Sequence, residues 1–445
     1  MNLDKATEMI KNMEKNEIKK LLEEQHPADT AEIIENLPEE KKIFVFKLLN
    51  PQKAVEVLEE FDYDNRLFIL SNINSDYAGY LLKEMSHDEL VDFLSEIPLS
   101  LVKKWIQNLD EEDRENIKTL LTYPETSAGG IMTTEVVSFL NTNTVEEVMK
   151  QLPDMAPDAE TIYYIYVVDK RNRLIGVVSL RDLILADPDS KLEEIMLKDV
   201  KKVTVDTDQE EVARMIDKYG FLGIPVVDEK DHLLGIVTVD DIMEVLKDEA
   251  TEDILKLSGT VEDIDIEKKG PFNRALRRLP WLLVALFGEI ISGGVIDGFS
   301  HTLEAVVALS FFIPVLMDMG GNVGTQSSAI IVRGIATGNI NPYEIGKNLF
   351  RETVVGLLVG VFCGIVVAGV AVAWQKMPVL GLVVGTAMSI TLTAAAIIGT
   401  LIPLLLNRLG QDPAVASGPF ITTALDISGL FIYFGSATIF MGRFF

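Results

Sequence analysis

The chain has 445 residues and a formal net charge of −28, and from Met1 to Pro280 it carries 60 Asp and Glu against 34 Lys and Arg, whereas Trp281 to Phe445 carries 8 against 6. So concentrated an acidity excludes nucleic acid as a partner, and a lone cysteine, Cys363, excludes a disulfide framework and reads as a space-filling thiol. The four histidines (His26, His87, His232, His301) stand at no zinc-ligand spacing, and no nucleophile elbow, P-loop or GxGxxG is present, which argues against an enzyme.

The opening MNLDKATEMIKNMEKNEIKK lacks an apolar signal region, so the acidic part is expected to begin in the cytosol. A period of 24 residues follows. PADTAEIIENL, PQKAVEVLEEF, SDYAGYLLKEM and LSLVKKWIQNL begin at 27, 51, 75 and 99, and the second halves begin at 37, 61, 85 and 109. Each unit predicts two short helices, with Asp62, Ser86 and Asp110 as N-caps and Pro38 in a first turn. Stacked pairs of this kind make a helical solenoid.

From Tyr123 to about Glu249 a second repeat runs with a period of 59. VVDKRNRLIGVVSLRDLI at 167 superimposes without gaps on VVDEKDHLLGIVTVDDIM at 226, and the first copy is longer by five residues around Pro153 to Pro157. Each copy reads as strand, turn, strand, then a helix opened by Ser179-Leu-Arg-Asp182 or Thr238-Val-Asp-Asp241. The pair resembles tandem CBS domains, in which the Ser/Thr-x-x-Asp element often holds a nucleotide ribose; a plain helix cap is the alternative. On the nucleotide reading Tyr164 and Phe221 supply a stacking face and Arg181 a phosphate contact.

Between Val239 and Lys268 a connector places Asp240, Glu244, Asp248 and Glu252 at i, i+4 spacing, with Asp241, Glu249 and Asp253 beside them. Like charges at that spacing cost about 0.2–0.5 kcal/mol per pair, and Lys247 and Lys256 relieve little of it. The stripe is either a solvated face or a divalent-cation site.

Five apolar runs follow, roughly 281–300, 305–333, 350–374, 380–407 and 414–441, each near the ~20 residues that cross a bilayer. With the N-terminus inside, Arg274, Arg277, Arg278, Arg333, Lys347, Arg351 and Arg408 fall at cytosolic ends, and only Lys376 and Arg443 outside. Glu289, Asp318 and Asp426 lie within these runs, where an unpaired charge costs about 3 kcal/mol. Asp426, in TTALDISGLFIYF, stands in a span with no basic residue, so it takes either a cation or, protonated, another helix as partner. For Glu289, Ser292 or an interfacial position is a simpler partner. In PVLMDMGGNVGTQSS (314–328), Gly320, Gly321 and Gly324 let backbones approach or unwind, while Asn322, Thr325, Gln326 and Ser327 bring oxygens to membrane depth. Neutral oxygens with few carboxylates suit a hard cation such as Mg2+, which gives up its water reluctantly.

In combination, the solenoid, the paired CBS repeats, the acidic connector, PVLMDMGGNVGTQSS and TTALD closely resemble the MgtE family of bacterial magnesium channels. The resemblance implies a multi-domain membrane protein. Its parts are an N-terminal all-α helical solenoid (1–122), an α/β tandem CBS module (123–245), an acidic connecting helix (246–272) and a five-helix α transmembrane domain (273–445). It further implies a homodimer in the plasma membrane, N-terminus cytosolic and C-terminus outside, with a pore between subunits that takes up Mg2+. Asp426 and Asn322 match pore residues, and Gly321, Thr422 and Asp318 flank them; Gly418 stands where some members have Asn, so that backbone replaces an amide. Cytosolic Mg2+ is expected to shut the pore by binding Glu56, Asp88 and Asp92 in the solenoid, Asp208 and Glu210 in the second CBS repeat, and Asp241, Glu244, Glu249 and Glu252 at the connector. ATP, where bound, meets Tyr164, Arg181, Asp182 and Phe221. The competing readings are an ion-coupled carrier or exporter of divalent metals and a membrane sensor that transports nothing.

Overall fold

Helix caps set the rhythm of the first region. In the computed structural model, which describes residues 15–98, 101–102, 105, 111–156, 159–260, 271–415 and 418–442, a leading helix α1 (Lys15–Glu24) is followed by pairs with the expected period. α2 (Pro27–Glu35), α4 (Pro51–Glu59) and α6 (Ser75–Glu84) alternate with α3 (Glu39–Phe46), α5 (Tyr63–Asn72) and α7 (His87–Glu96), and α8 (Glu111–Leu120) continues the second series. Asp62 caps α5 as expected, its carboxylate accepting from Asn65 N at 2.7 Å. Pro38 instead occupies the N-cap position of α3, and Ser86 precedes α7 without a side-chain cap bond. The first helix of each pair is capped by residues the sequence reading passed over: the side chains of His26, Asn50 and Asn74 accept from backbone N–H groups of α2, α4 and α6. Asp110, Arg443 and most of the fourth unit's first half lie outside the described residues.

Two three-stranded sheets come next, β1 (Val136–Leu140), β2 (Thr161–Val168) and β3 (Leu174–Ser179), then β4 (Val203–Thr204), β5 (Gly223–Val227) and β6 (Leu233–Thr238). In each, the first two strands pair in parallel across a helix, α9 (Val145–Met155) or α12 (Gln209–Tyr219), and the last two form an antiparallel hairpin. Short helices α10 (Leu180–Leu185) and α11 (Leu192–Ile195) complete the first copy. The hairpin turns put Asn172 and Asp231, 59 residues apart, in the left-handed region, where short polar side chains are tolerated. One apolar core runs from the solenoid into the second sheet, from Leu22 and Phe46 through Trp105 to Ile224 and Val237.

The chain divides into two compact units, one up to Val245 and one from Leu246 onward. Among its described residues the second holds five helices long and apolar enough to cross a membrane: α14 (Pro271–Gly298), α16 (Ile313–Ala336) with the 3-10 helix Val307–Phe312 before it, α17 (Ile345–Gln375), α18 (Pro378–Arg408) and α19 (Gly418–Met441); α15 (Ser300–Ala305) is a short link. α14 begins ten residues before the expected span, since a basic first stretch propagates the helix while its long side chains can reach water. Small residues set the packing. A Cβ on Gly399 would stand 2.2 Å from the Gly324 carbonyl oxygen, and one on Gly360 2.7 Å from that of Ser389. α16 is continuous, so its glycines serve close approach and do not unwind the helix. α17 and α18 are joined by Lys376, in the left-handed region at φ 55°, and Met377, with Pro378 opening α18.

Candidate functional site

Within the membrane unit, α16 and α19 meet where Gly321 faces Thr422, a Cβ on the glycine lying 3.4 Å from Thr422 Cγ2. One turn further along α19, Asp426 is 3% exposed. Its carboxyl lies within hydrogen-bonding reach of the Glu289 carboxyl on α14. Glu289 therefore does not take Ser292 as its partner, and the Ser292 hydroxyl is buried without one. Asn322 donates from Nδ2 to Asp318 Oδ2 at 3.1 Å. These two residues and Gln326 occupy i, i+4 and i+8 on the exposed side of α16, with exposed apolar Val315 and Ile330 before and after them. Hydrocarbon cannot satisfy such a polar stripe. Ser327, on the buried side, donates to Glu352 Oε2 of α17 at 3.1 Å, a partner the sequence did not reveal.

A second concentration of carboxylates lies in the first unit, around the start of α7 and of α13 (Val239–Leu257). Asp88 is 8% exposed, its Oδ1 buried with no hydrogen-bond partner, and burial raises its pKa. Burial, then the charges of Glu89, Asp88, Glu244 and Asp241, pushes Asp92 up to about 7. Asp241 rises to about 7 through burial first and Asp88 second, even though Thr238 donates its hydroxyl to Asp241 at 2.6 Å. Two further members were not foreseen. Glu160, pushed to about 8 by burial and by Asp88, Asp241 and Asp240, joins from the start of β2, and Glu59, raised to about 6 by burial, accepts from Ser86 N at 2.9 Å. Arg66 balances one charge through Glu89 at 2.8 Å. Glu56, three residues before Glu59, is exposed and is not among the charges acting on this group. Asp208 caps α12, accepting from Glu210 N at 2.9 Å. Among the described residues, no three His, Cys, Asp or Glu stand close enough together to hold a metal ion within one chain.

The acidic stripe lies on the single helix α13 as expected, but that helix starts at Val239 and stops at Leu257, short of the expected connecting helix 246–272, of which residues 261–270 lie outside the described residues. Lys256 relieves more of its charge than the sequence suggested, holding Glu252 at 2.5 Å and Asp412, from the loop before α19, at 2.6 Å. Burial opposes the Lys256 charge, but the hydrogen bonds to Asp412 and Glu252 outweigh it and raise the pKa. Burial, then Asp412 and Glu249, lifts Asp253 to about 6. The end of α13 also touches the start of α19, since a Cβ on Gly418 would lie 3.3 Å from the Leu257 carbonyl oxygen.

In the paired sheets, Tyr164, Ser179, Asp182 and Phe221 line one cavity with Asp199 and Lys201. Arg181 lies apart, in the adjoining groove with Leu180, Ile184 and Leu222. Ser179 Oγ accepts from Asp182 N at 3.1 Å and lies 2.6 Å from Asp182 Oδ2, so Ser179 caps α10 while Asp182 borders the cavity. Lys201 was not anticipated, because its repeat segment IMLKDVKKVTV (195–205) carries no sign of which residue faces the cavity.

Known proteins place these parts in context. Residues 25–126 match the MgtE intracellular N domain, 128–189 and 192–248 each match the CBS domain, and 313–436 match the MgtE divalent cation transporter model. The magnesium transporter MgtE of Thermus thermophilus is 45% identical over 332 residues, covering 74% of either chain. That of Bacillus subtilis is 42% identical over 336 residues, 76% of this chain and 74% of the relative. Among solved structures, the cytosolic domain of the Mg2+ channel MgtE in complex with ATP is 42% identical with a TM-score of 0.51, covering 54% of this chain and 97% of that one. The soluble part of a magnesium transporter is 40% identical with a TM-score of 0.52, covering 56% and 98%.

Proposed function

The chain belongs to the MgtE family of divalent cation transporters, and on that premise we propose that it is a Mg2+ channel that its own cytosolic Mg2+ closes. The observation that carries the transport reading is the exposed stripe Asp318, Asn322, Gln326 on a membrane helix packed against the helix that buries Asp426. Facing lipid, the stripe would leave several polar groups unsatisfied; facing a second copy across a water-filled path, it lines the route of a hydrated cation. Mg2+ passing there is substrate, held through its water by Asp426, Asn322 and the backbone near Gly321, with Thr422 and Gly418 alongside. The basic residues at the ends of α14, α16, α17 and α18 support a cytosolic N-terminus.

Closure follows from the acidic groups. Buried Asp88 with its orphaned oxygen, and Asp92, Asp241 and Glu244 around it, offer hard oxygen ligands that are costly to leave charged and bare. Regulatory Mg2+ bound there, and at Glu249 and Glu252 further along α13, favours the shut state by binding it better. Glu56, Asp208 and Glu210 remain candidate ligands at contacts between copies. The touch of Leu257 on Gly418 gives α13 a direct purchase on the start of α19. ATP in the Tyr164–Phe221 cavity, as in the cytosolic domain solved with ATP, would adjust the same module.

Inside-out patch recording with Mg2+ stepped on the cytosolic face tests this. The expected result is discrete openings that vanish as Mg2+ rises into the millimolar range. Transport without unitary currents would establish the second reading, an ion-coupled carrier using Glu289 or Asp318, and silence under all conditions would reduce the chain to a sensor.

A further inference from the structure

α14 buries two of its residues, Gly288 and Ser292, one turn apart on the face that packs against α19. At Gly288 the helices nearly touch, since a Cβ there would stand 2.3 Å from Thr423 Cγ2. This approach is what carries the Glu289 carboxyl to Asp426. The basic residues of α14 lie in its first three turns and α19 has none in its described length, and among the described residues neither carboxyl forms an ion pair with a basic side chain. One turn along α14 from Gly288, the Ser292 hydroxyl, 1% exposed, has no hydrogen-bond partner. A buried hydroxyl of this kind costs about 1–3 kcal/mol unless something polar meets it. Two carboxyls brought together and a hydroxyl left open describe a place prepared for a polar, cationic occupant.

We propose that Glu289 is a second cation-contacting carboxylate of the permeation site, acting with Asp426, and that Ser292 holds a water of the ion's hydration shell there. The proposal rests on the reading of Asp426 as a carboxylate of the Mg2+ path. On a route between two copies, Glu289 raises the number of carboxylates near the ion from two to four, a field that gains more from a divalent than from a monovalent ion, which makes Glu289 a determinant of divalent over monovalent selection. Holding the ion through water accords with the reluctance of Mg2+ to dehydrate.

The test is Mg2+ uptake by the full chain in proteoliposomes, read with an entrapped Mg2+ indicator in Na+-containing buffer, because this readout serves channel and carrier alike. Glu289→Gln is expected to raise the half-saturating Mg2+ concentration about tenfold and to make uptake sensitive to Na+. Glu289→Asp, which keeps the charge, should recover most of the difference, and Ser292→Ala should show a smaller shift of the same sign. Asp426→Asn is the reference. An unchanged Glu289→Gln beside an impaired Asp426→Asn overturns the role of Glu289 and leaves the pore reading standing. If neither variant differs from the wild type, the pore reading itself falls. Should Glu289→Gln fail to give a monodisperse protein, Ser292→Ala decides, and wild-type saturation and Na+ insensitivity in that variant would overturn the proposal.

Discussion

Asp426 and Asn322 play different parts although both come from polar positions in apolar helices. Asp426 is buried against two neighbouring helices of its own chain, whereas Asn322 faces outward with Asp318. If the proposed route holds, Asp426→Ala abolishes Mg2+ uptake and Asn322→Leu, by setting an apolar side chain on that proposed route, reduces it at least about tenfold, a loss of about 1.4 kcal/mol; both are read as uptake by a Mg2+-starved host or by proteoliposomes. Asp426 stands out in the sequence because a carboxylate in a span with no basic residue has few structural excuses. Its neighbour does not. Glu289 reaches it only through the rotational phase of α14 against α19, which depends on Gly288 meeting Thr423, and no local pattern encodes that. Glu59 and Glu160 escaped for the same reason, each joining Asp88 from an element distant in sequence.

At the level of elements, helix starts at 39, 63 and 87 reproduce the 24-residue period that sequence alone displays. Repeats advertise themselves because each unit solves one packing problem. The membrane helices do not repeat, so their contacts emerge only from the small residues that happen to meet. Gly399→Ala forces a methyl group toward the Gly324 carbonyl oxygen, and the expected cost is about 1–3 kcal/mol, seen as a lower melting temperature in detergent, unless α16 and α18 separate to make room. On α13, neutralising Asp240, Glu244, Asp248 and Glu252 together should give a protein that conducts but does not close as cytosolic Mg2+ rises, measured in excised patches. Normal Mg2+-dependent closure in that variant would remove the connector from the gate.

For the whole molecule, the acidity that identified the soluble part has a thermodynamic signature. Asp241 is pushed to about 7 and Glu160 to about 8 by burial and then by neighbouring carboxylates, and unfolding returns both to the ordinary carboxylate range near 4. The folded state thus holds protons that the unfolded state has released, and the associated stability, complete below about pH 4, is lost as pH climbs through about 7–8. In metal-free buffer the acidic unit of the full chain should therefore melt at lower temperature at pH 8 than at pH 6. Added Mg2+ should restore more at pH 8, because ligand binding to the folded state substitutes for the missing protons. An equal melting temperature at both pH values would mean that these carboxyls are better solvated than their surroundings suggest. A different consequence belongs to the turn at Lys376. With only that residue and Met377 between helices of 31 residues each, neither α17 nor α18 has a tether long enough to settle apart from the other. As the ribosome delivers them, the two can enter the bilayer as one hairpin, with Gly356, Gly360 and Gly364 of α17 seated on Ala396, Ser389 and Gly385 of α18, and a nascent chain halted at Gln375 would carry that ridge of glycines into lipid with nothing to fill it.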